Sequence, residues 1–326
     1  HEPMSAGRQM GGHFVTHSLN DDGSWKNLTK QKNSSADISP TAAQMPRLLG
    51  LAQASKIYRE VPGITNKSNF SINGNEIAWG TIGNASTTEG VFFETINAAG
   101  VLQVPLVLSV WDDEYGISVH AKHQTTKESI SEILKGYQRE EDTNGFEILK
   151  VKGWDYADLI ATYEKAADIA REKHIPVLIH VDELTQPQGH SSSGSHERYK
   201  NSARLAWEKD FDCLRQMKLW MIAINIASSE EIEAIDRQTR KEVLEGKKAA
   251  WNAFIEPIIE EQKEFVYLLE KIALKSKNKE VILKYATDLG SIKTPLKKEI
   301  LVTARRILRL VTNESCKTEL SSWITS

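Results

Sequence analysis

Only two of the 326 residues are cysteine, Cys213 and Cys316, far apart and in no Cys-x-x-Cys spacing. With no paired His-Cys cluster either, the chain has the makings of neither a disulfide scaffold nor a structural zinc or iron–sulfur site. Both cysteines are expected as packing thiols in a reducing compartment. Charge of one sign is also lacking: 41 Lys and Arg stand against 44 Asp and Glu, a net charge of -3. Such a balance leaves no electrostatic footprint for DNA, RNA or an anionic membrane, and none of these is expected as a partner. No apolar run reaches the length of a membrane span and no basic-then-apolar signal opens the chain, so a cytoplasmic location is expected.

What the chain does have is length, enough for one α/β domain and a further helical region. Short apolar runs at 77–82, 104–110, 147–151 and 176–181 read as strands. Helical spacing of apolar residues marks 41–58, with Pro46 tolerable near the helix start, and also 89–99 and 156–171. Alternation of the two implies a doubly wound parallel sheet, its first crossover right-handed. Residues 21–35 are polar and aperiodic, a surface loop, and Asn73-Gly74-Asn75 is a turn.

From Ser228 onward only helices are predicted. Ser228-x-x-Glu231 is a capping box, and Pro257 is expected to end or kink the helix it opens. Another helix is expected over 278–289, stopping at Gly290, and a third with Thr294 as cap and Pro295 in its first turn. Residues 230–279 are rich in Lys and Glu, but the signs are interleaved, which favours a solvated helix face over a nucleic-acid arm. The expected division is 1–227, an α/β domain, and 228–326, a helical connector.

Two stretches carry the chemistry. Gly83-Asn84-Ala85-Ser86-Thr87-Thr88-Glu89-Gly90 follows the first strand, and Trp111-Asp112-Asp113-Glu114-Tyr115-Gly116-Ile117-Ser118 follows the second. Their side chains emerge at the C-terminal ends of parallel strands, where open α/β sheets bind ligands. Read alone, they could be ordinary strand-to-helix turns in which Asx side chains satisfy local backbone groups. They could also be the halves of a diphosphate–Mg²⁺ site.

In order and flanks the two stretches resemble the thiamine-diphosphate motif of the α subunit of 2-oxo-acid dehydrogenases, a Gly-Asp-Gly-type turn followed by an Asn-Asn pair. Three further blocks resemble the same family: Gly7-Arg8-Gln9-Met10 with Gly12-His13-Phe14; Ser39-Pro40-Thr41-Ala42-Ala43-Gln44-Met45-Pro46; and Gly189-His190-Ser191-Ser192-Ser193. Together the blocks extend over about residues 7 to 227. The resemblance implies that Asn84 stands where the family has its acidic metal ligand, that Asp113 stands where it has its second Asn, and that the Tyr115 carbonyl completes the protein's share. A carboxylate and a carboxamide oxygen remain, a set suited to a hard six-coordinate Mg²⁺ with two diphosphate oxygens and a water. Gly83, Ala85 and Ser86 would approach the diphosphate. Ser39 and Thr41 would face the aminopyrimidine, and His190 would reach the diphosphate and the reacting centre, with His13 a further candidate.

The implied activity is decarboxylation of a 2-oxo acid, preferably branched-chain, with pyruvate and acetoin as competitors, and transfer of the acyl group to a lipoyl acyltransferase. The implied partners are that acyltransferase and a β-like half that supplies the Glu activating the cofactor. A dimer or heterotetramer would result. The opening at His1-Glu2-Pro3, so near the first block, suggests a piece of a longer polypeptide, the 228–326 region leading toward the β-like half.

There are departures. Trp111 replaces a phosphate-binding Arg, and Ala85 adds a methyl where backbone comes close to phosphate. Arg8 or Lys122 would have to compensate. Residues 122–144, beyond His120 and His123, correspond to the family's mobile loop but lack its Arg-Gly-Pro-Gly pattern, which argues against kinase control. Glu89 is expected to cap the helix after the turn, and His17, His174, His180 and His196 to be structural or solvated. Two other readings stay open: a transketolase-type enzyme carrying its own activating Glu, and a scaffold subunit that has lost its cofactor.

Overall fold

The computed structural model describes residues 15–35, 38, 40–64, 67–186, 188–190, 195–312 and 314–325. They belong to two compact units, one ending at Ala227 and the other beginning at Ser228.

The first unit contains, in order, α1 (Met45–Glu60), β1 (Ala78–Gly83), α2 (Gly90–Leu102), β2 (Leu106–Trp111), the short strands β3 (Tyr115–Gly116) and β4 (Val119–His120), α3 (Ile130–Ile133), β5 (Glu147–Lys152), α4 (Tyr156–Lys173), β6 (Val177–Asp182), α5 (Ser202–Asp210) and α6 (Cys213–Ala223). β1, β2, β6 and β5 form one sheet in that order, every pair parallel. Central strands of such a sheet are covered on both faces, which is why β2 and β6 are buried without a break over their first five residues while the edge strand β1 alternates. The two faces separate by residue parity. Leu106, Leu108 and Val110 pack with Met45, Leu48 and Ala52 of α1 and Phe92, Ile96 and Ala99 of α2. Val107, Val177, Ile179 and Val181 pack with Ala166 and Ala170 of α4 on the other side. Helices on both faces of a parallel sheet make this the doubly wound α/β class expected from the sequence.

The register pairs Gly83 with Trp111 and Trp111 with Val181, so β1, β2 and β6 end level with one another. Far from that edge, Arg59 donates to the carbonyls of Gly74 (2.9 Å) and Arg171 (2.8 Å), and His174 Nε2 meets the same Gly74 oxygen at 2.8 Å. This ties the Asn73–Asn75 turn to the end of α4. Residues 121–146 run through short helical turns and are anchored by Ile130, Leu134 and Phe146, all buried in the α1/α2 core.

The second unit is helical: α7 (Ser229–Lys275), α8 (Lys279–Gly290), α9 (Lys297–Leu310) and α10 (Lys317–Thr325). Its core joins Phe265, Leu269 and Ile272 of α7 to Ile282 and Leu289, Ile300 and Ile307, and Leu320 of the other three. The capping box at Ser228 and Glu231 is formed, with the Ser228 side chain accepting from Glu231 N–H. Two expectations are corrected. α7 does not end at Pro257 but continues past it, 47 residues in all; a proline removes one backbone hydrogen bond, and burial of Ile255 on one side and Phe265 on the other outweighs that loss. α9 begins at Lys297 after Leu296, not at Thr294-Pro295, because Glu299 reaches back to accept the Leu296 N–H at 2.6 Å and closes the helix there. Among the described residues no helix is long and apolar enough to cross a membrane.

Candidate functional site

The level ends of β1 and β2 bring the two chemistry-bearing stretches side by side. Asn84 follows Gly83 directly, and its N–H donates to Trp111 O at 3.1 Å, so the β1–β2 ladder extends one residue beyond the strand and fixes Asn84 beside the residue that precedes Asp112. The Asn84 carbonyl turns back to accept from the N–H (3.1 Å) and hydroxyl (2.6 Å) of Thr87, shaping a short helical turn over Ala85–Thr88. That turn delivers the chain to α2. Glu89 occupies the cap position of α2, but its side chain makes no capping hydrogen bond, so it acts there by charge alone.

Space at the strand end is uneven. A Cβ built on Gly83 would meet nothing within 4 Å, whereas one on Gly116 would lie 2.6 Å from the Ala85 methyl and in the Gln124 side chain. β3 therefore lies directly against the turn after β1, and only glycine lets it do so.

The turn after β2 contains two adjacent acids with different fates. Asp112 is buried, and its carboxylate accepts from Glu114 N–H (2.8 Å) and His180 Nε2 (2.9 Å). Asp113 Oδ1 accepts from Tyr115 N–H at 3.1 Å, but its Oδ2 is buried with no partner among the described residues. Burial pushes the Asp113 carboxyl above the ordinary carboxylate range, a shift opposed by the Tyr115 N–H and by the nearby Lys200 charge. The Asn84 side-chain nitrogen is likewise buried and unpartnered. Two side chains from neighbouring strand ends thus bury polar atoms that no described residue satisfies, a state that ordinarily costs stability unless a ligand completes it. Turning the near-symmetric carboxamide of Asn84 end for end would present its oxygen in place of the nitrogen.

Behind this turn lies a polar group not anticipated from the sequence. Arg204 of α5 donates to Asp113 O (3.0 Å), to Glu114 (2.5 Å) and to Glu208 (2.9 Å). Lys200, its side chain fully buried, meets Glu208 at 2.7 Å and sits 4.9 Å from the centre of the Tyr115 ring. Burial raises the Tyr115 phenol pKa. The only signal for this group in the sequence is the i, i+4 pairing of Arg204 with Glu208, which is common on solvated helices. A cavity of about 910 Å³ opens beyond Tyr115, lined by His120, Lys122, His123, Tyr199, Arg204 and Trp207 among others.

Of the other anticipated residues, Ser86 is half-buried and accepts from Glu89 N–H (3.3 Å), while Thr41 and His190 are exposed. Among the described residues no contact joins Thr41 or His190 to the Asn84–Asp113 pair. Ser39, Ser191 to Ser193 and the blocks at Gly7–Met10 and Gly12–Phe14, with His13, lie outside the described residues. His174 and His180 are buried, the latter within the sheet. Among the described residues no three His, Cys, Asp or Glu side chains converge, so any cation here would rest on one carboxylate with carboxamide and carbonyl oxygens.

Residues 8–258 match the family described as Dehydrogenase E1 component. The chain belongs to that family, whose members depend on thiamine diphosphate, and it is an α-type member. It is 26% identical over 229 residues to the 2-oxoisovalerate dehydrogenase subunit alpha of Bacillus subtilis, which covers 70% of this chain and 59% of the relative. It is 28% identical over 186 residues to the pyruvate dehydrogenase E1 component subunit alpha of Porphyra purpurea, covering 57% and 51%. A third relative is the mitochondrial 2-oxoisovalerate dehydrogenase subunit alpha 1 of Arabidopsis thaliana, 24% identical over 224 residues, covering 68% and 43%. The chain spans about half the length of the relatives it matches.

Proposed function

We propose that this chain is the diphosphate-binding part of an E1 component that decarboxylates a 2-oxo acid, with thiamine diphosphate held through Mg²⁺, and passes the acyl group to a lipoyl acyltransferase. One observation carries the reading: Asn84 and Asp113, on the turns that follow two neighbouring strands linked by the Asn84–Trp111 hydrogen bond, each bury a polar atom without a partner among the described residues. An oxygen-only donor set with a single formal charge suits a hard dication whose remaining ligands are phosphate oxygens and water.

In this reading Asp113 Oδ2, the Asn84 carboxamide oxygen and the Tyr115 carbonyl hold the cation. Gly83, with open space above it, and Ala85 and Ser86 admit the diphosphate to the backbone. Ser39 and Thr41 face the aminopyrimidine. Bound thiamine diphosphate supplies a nucleophilic carbon and an electron sink for loss of CO₂. His190, on an exposed loop after β6, moves a proton at an imidazole nitrogen during decarboxylation or acyl transfer. Trp111 and Ile117, 53% and 60% exposed beside the strand ends, are apolar surface that a β-like half would cover. That half would also bring the activating Glu.

A branched-chain 2-oxo acid is the preferred substrate. Pyruvate is the second reading, since relatives of both names match at similar identity. The test is calorimetry with thiamine diphosphate and Mg²⁺ on the chain joined to its β-like half, followed by decarboxylation assays with 2-oxoisovalerate and pyruvate. Saturable binding, turnover by the assembly and none by residues 1–326 alone are expected. Absence of binding at millimolar cofactor would favour a scaffold role, and turnover by the chain alone would remove the two-half reading.

A further inference from the structure

Asp112 leaves none of its polar groups idle. Its N–H donates to Val181 O (2.9 Å), its carbonyl accepts from Leu184 N–H (3.1 Å), Oδ1 accepts from Glu114 N–H (2.8 Å) and Oδ2 from His180 Nε2 (2.9 Å). His180, 1% exposed in the middle of the sheet, reaches on through Nδ1 to Ser131 Oγ at 2.8 Å. The spatial order Ser–His–Asp suggests a hydrolase, but a nucleophile must be reachable by substrate, and Ser131 is buried and paired with Ser129 (3.2 Å). This array has another use.

We propose that Ser131, His180 and Asp112 form a brace that positions the cation-binding turn, holding Asp112 inward so that Asp113 alone offers a free carboxylate oxygen. The inference rests on the reading of Asp113 as a cation ligand. Two adjacent carboxylates on one turn would otherwise compete for the same dication, and rotation of the turn by one residue would exchange them. A buried carboxylate without a partner is costly, so the His180 N–H decides which acid turns inward. A carboxylate only accepts, so Nε2 carries a proton; in the neutral ring Nδ1 then accepts from the Ser131 hydroxyl, which fixes the tautomer that Asp112 needs. Outer partners of this kind orient metal ligands without touching the metal. Ser131 lies in α3, so the brace also ties the 121–146 segment to the turn after β2.

The test uses Mn²⁺ as probe. Free Mn²⁺ is measured by electron paramagnetic resonance in titrations of the full chain, with whatever partner half it co-purifies with, in the presence of thiamine diphosphate. His180→Leu removes the donor and is expected to weaken Mn²⁺ binding about 10- to 100-fold. His180→Gln keeps an N–H at similar reach and should bind close to wild type. Ser131→Ala should fall between the two at nearly unchanged thermal stability. A folded His180→Leu protein that binds like wild type would overturn the brace, and so would a folded His180→Gln protein as impaired as the Leu variant. If His180→Leu does not fold, Ser131→Ala decides, and unaltered affinity there overturns the proposal. Absence of Mn²⁺ uptake by wild type, or wild-type uptake by Asp113→Asn, would instead defeat the cation-site reading beneath it.

Discussion

The two units bury polar groups very differently. In the helical unit Gln262 is the single buried polar side chain among the described residues, and its amide donates to Leu289 O (2.6 Å) and Ile292 O (3.0 Å), closing the end of α8. The α/β unit buries Asn84, Asp112, His180, Lys200 and Glu208, with several Ser and Thr, and most of the charged ones gather around the turn after β2. An apolar core suffices to hold helices together. Ionised groups taken out of water must be held in a particular arrangement, and that expense is concentrated here at the edge of the sheet where ligands bind.

The largest expected effect concerns His190. His190→Ala should lower acyl transfer to a lipoyl acceptor by about 10²- to 10⁴-fold, the usual worth of a positioned acid or base, with folding unchanged because the side chain is exposed. Near-normal rates in a stopped-flow assay would return this residue to a solvated loop. Next is Asp113→Asn, which leaves neutral oxygens opposite a dication and should weaken Mg²⁺-dependent cofactor binding by more than the roughly 10- to 100-fold cost of disturbing a supporting partner. Adding Asn84→Asp should restore binding; a double variant no better than the single one would remove the argument that the two positions have exchanged roles.

The comparison of cores can be tested directly by urea unfolding. Glu208→Leu leaves the fully buried Lys200 side chain without its carboxylate and should cost about 3–5 kcal/mol. Gln262→Leu leaves two neutral carbonyls and should cost about 1–3 kcal/mol. Equal costs would mean that the charged cluster is no more demanding than a neutral one. A smaller effect belongs to His174, whose pKa burial holds below the usual imidazole value. Its neutral form is favoured by folding, so its stabilising share is complete above about pH 6.5 and is lost as pH falls through the lowered value. In His174→Asn the fall of the melting temperature between neutral and mildly acid pH should be shallower; an unchanged slope would rule His174 out as a source.

Much of the fold was legible because it is written in short-range pattern. All four strands of the sheet were visible from their short stretches of apolar residues, though β5 is interrupted by charge, and the Ser228–Glu231 capping box as two residues three apart. Helix starts and interruptions were less so: Pro257 forbids one hydrogen bond locally, yet the core formed by Phe265 and Leu269 decides from a distance that α7 continues. The candidate site divides in the same way. Asn84 and Asp113 could be singled out as candidates because each follows a strand within a stretch that resembles the family's motif, and only that resemblance separated Asp113 from Asp112. His180 could not be separated from a satisfied core histidine, since its partners Asp112 and Ser131 are 68 and 49 residues away along the chain and meet it only across the sheet. Lys200, Arg204 and Glu208 resemble a solvated helix until Tyr115 and Glu114 are laid against them.

The contact between Ala85 and Gly116 has a consequence for descent. Because a second methyl at 116 would stand 2.6 Å from the first, the two positions cannot drift independently. A lineage that enlarges residue 85 commits itself to glycine at 116, and regains freedom there only after reverting and after the Gln124 side chain, which also stands against that position, moves aside. Pairwise variation at these positions across a population of sequences should therefore be exclusive: a side chain on one side of the contact or on the other, but not on both.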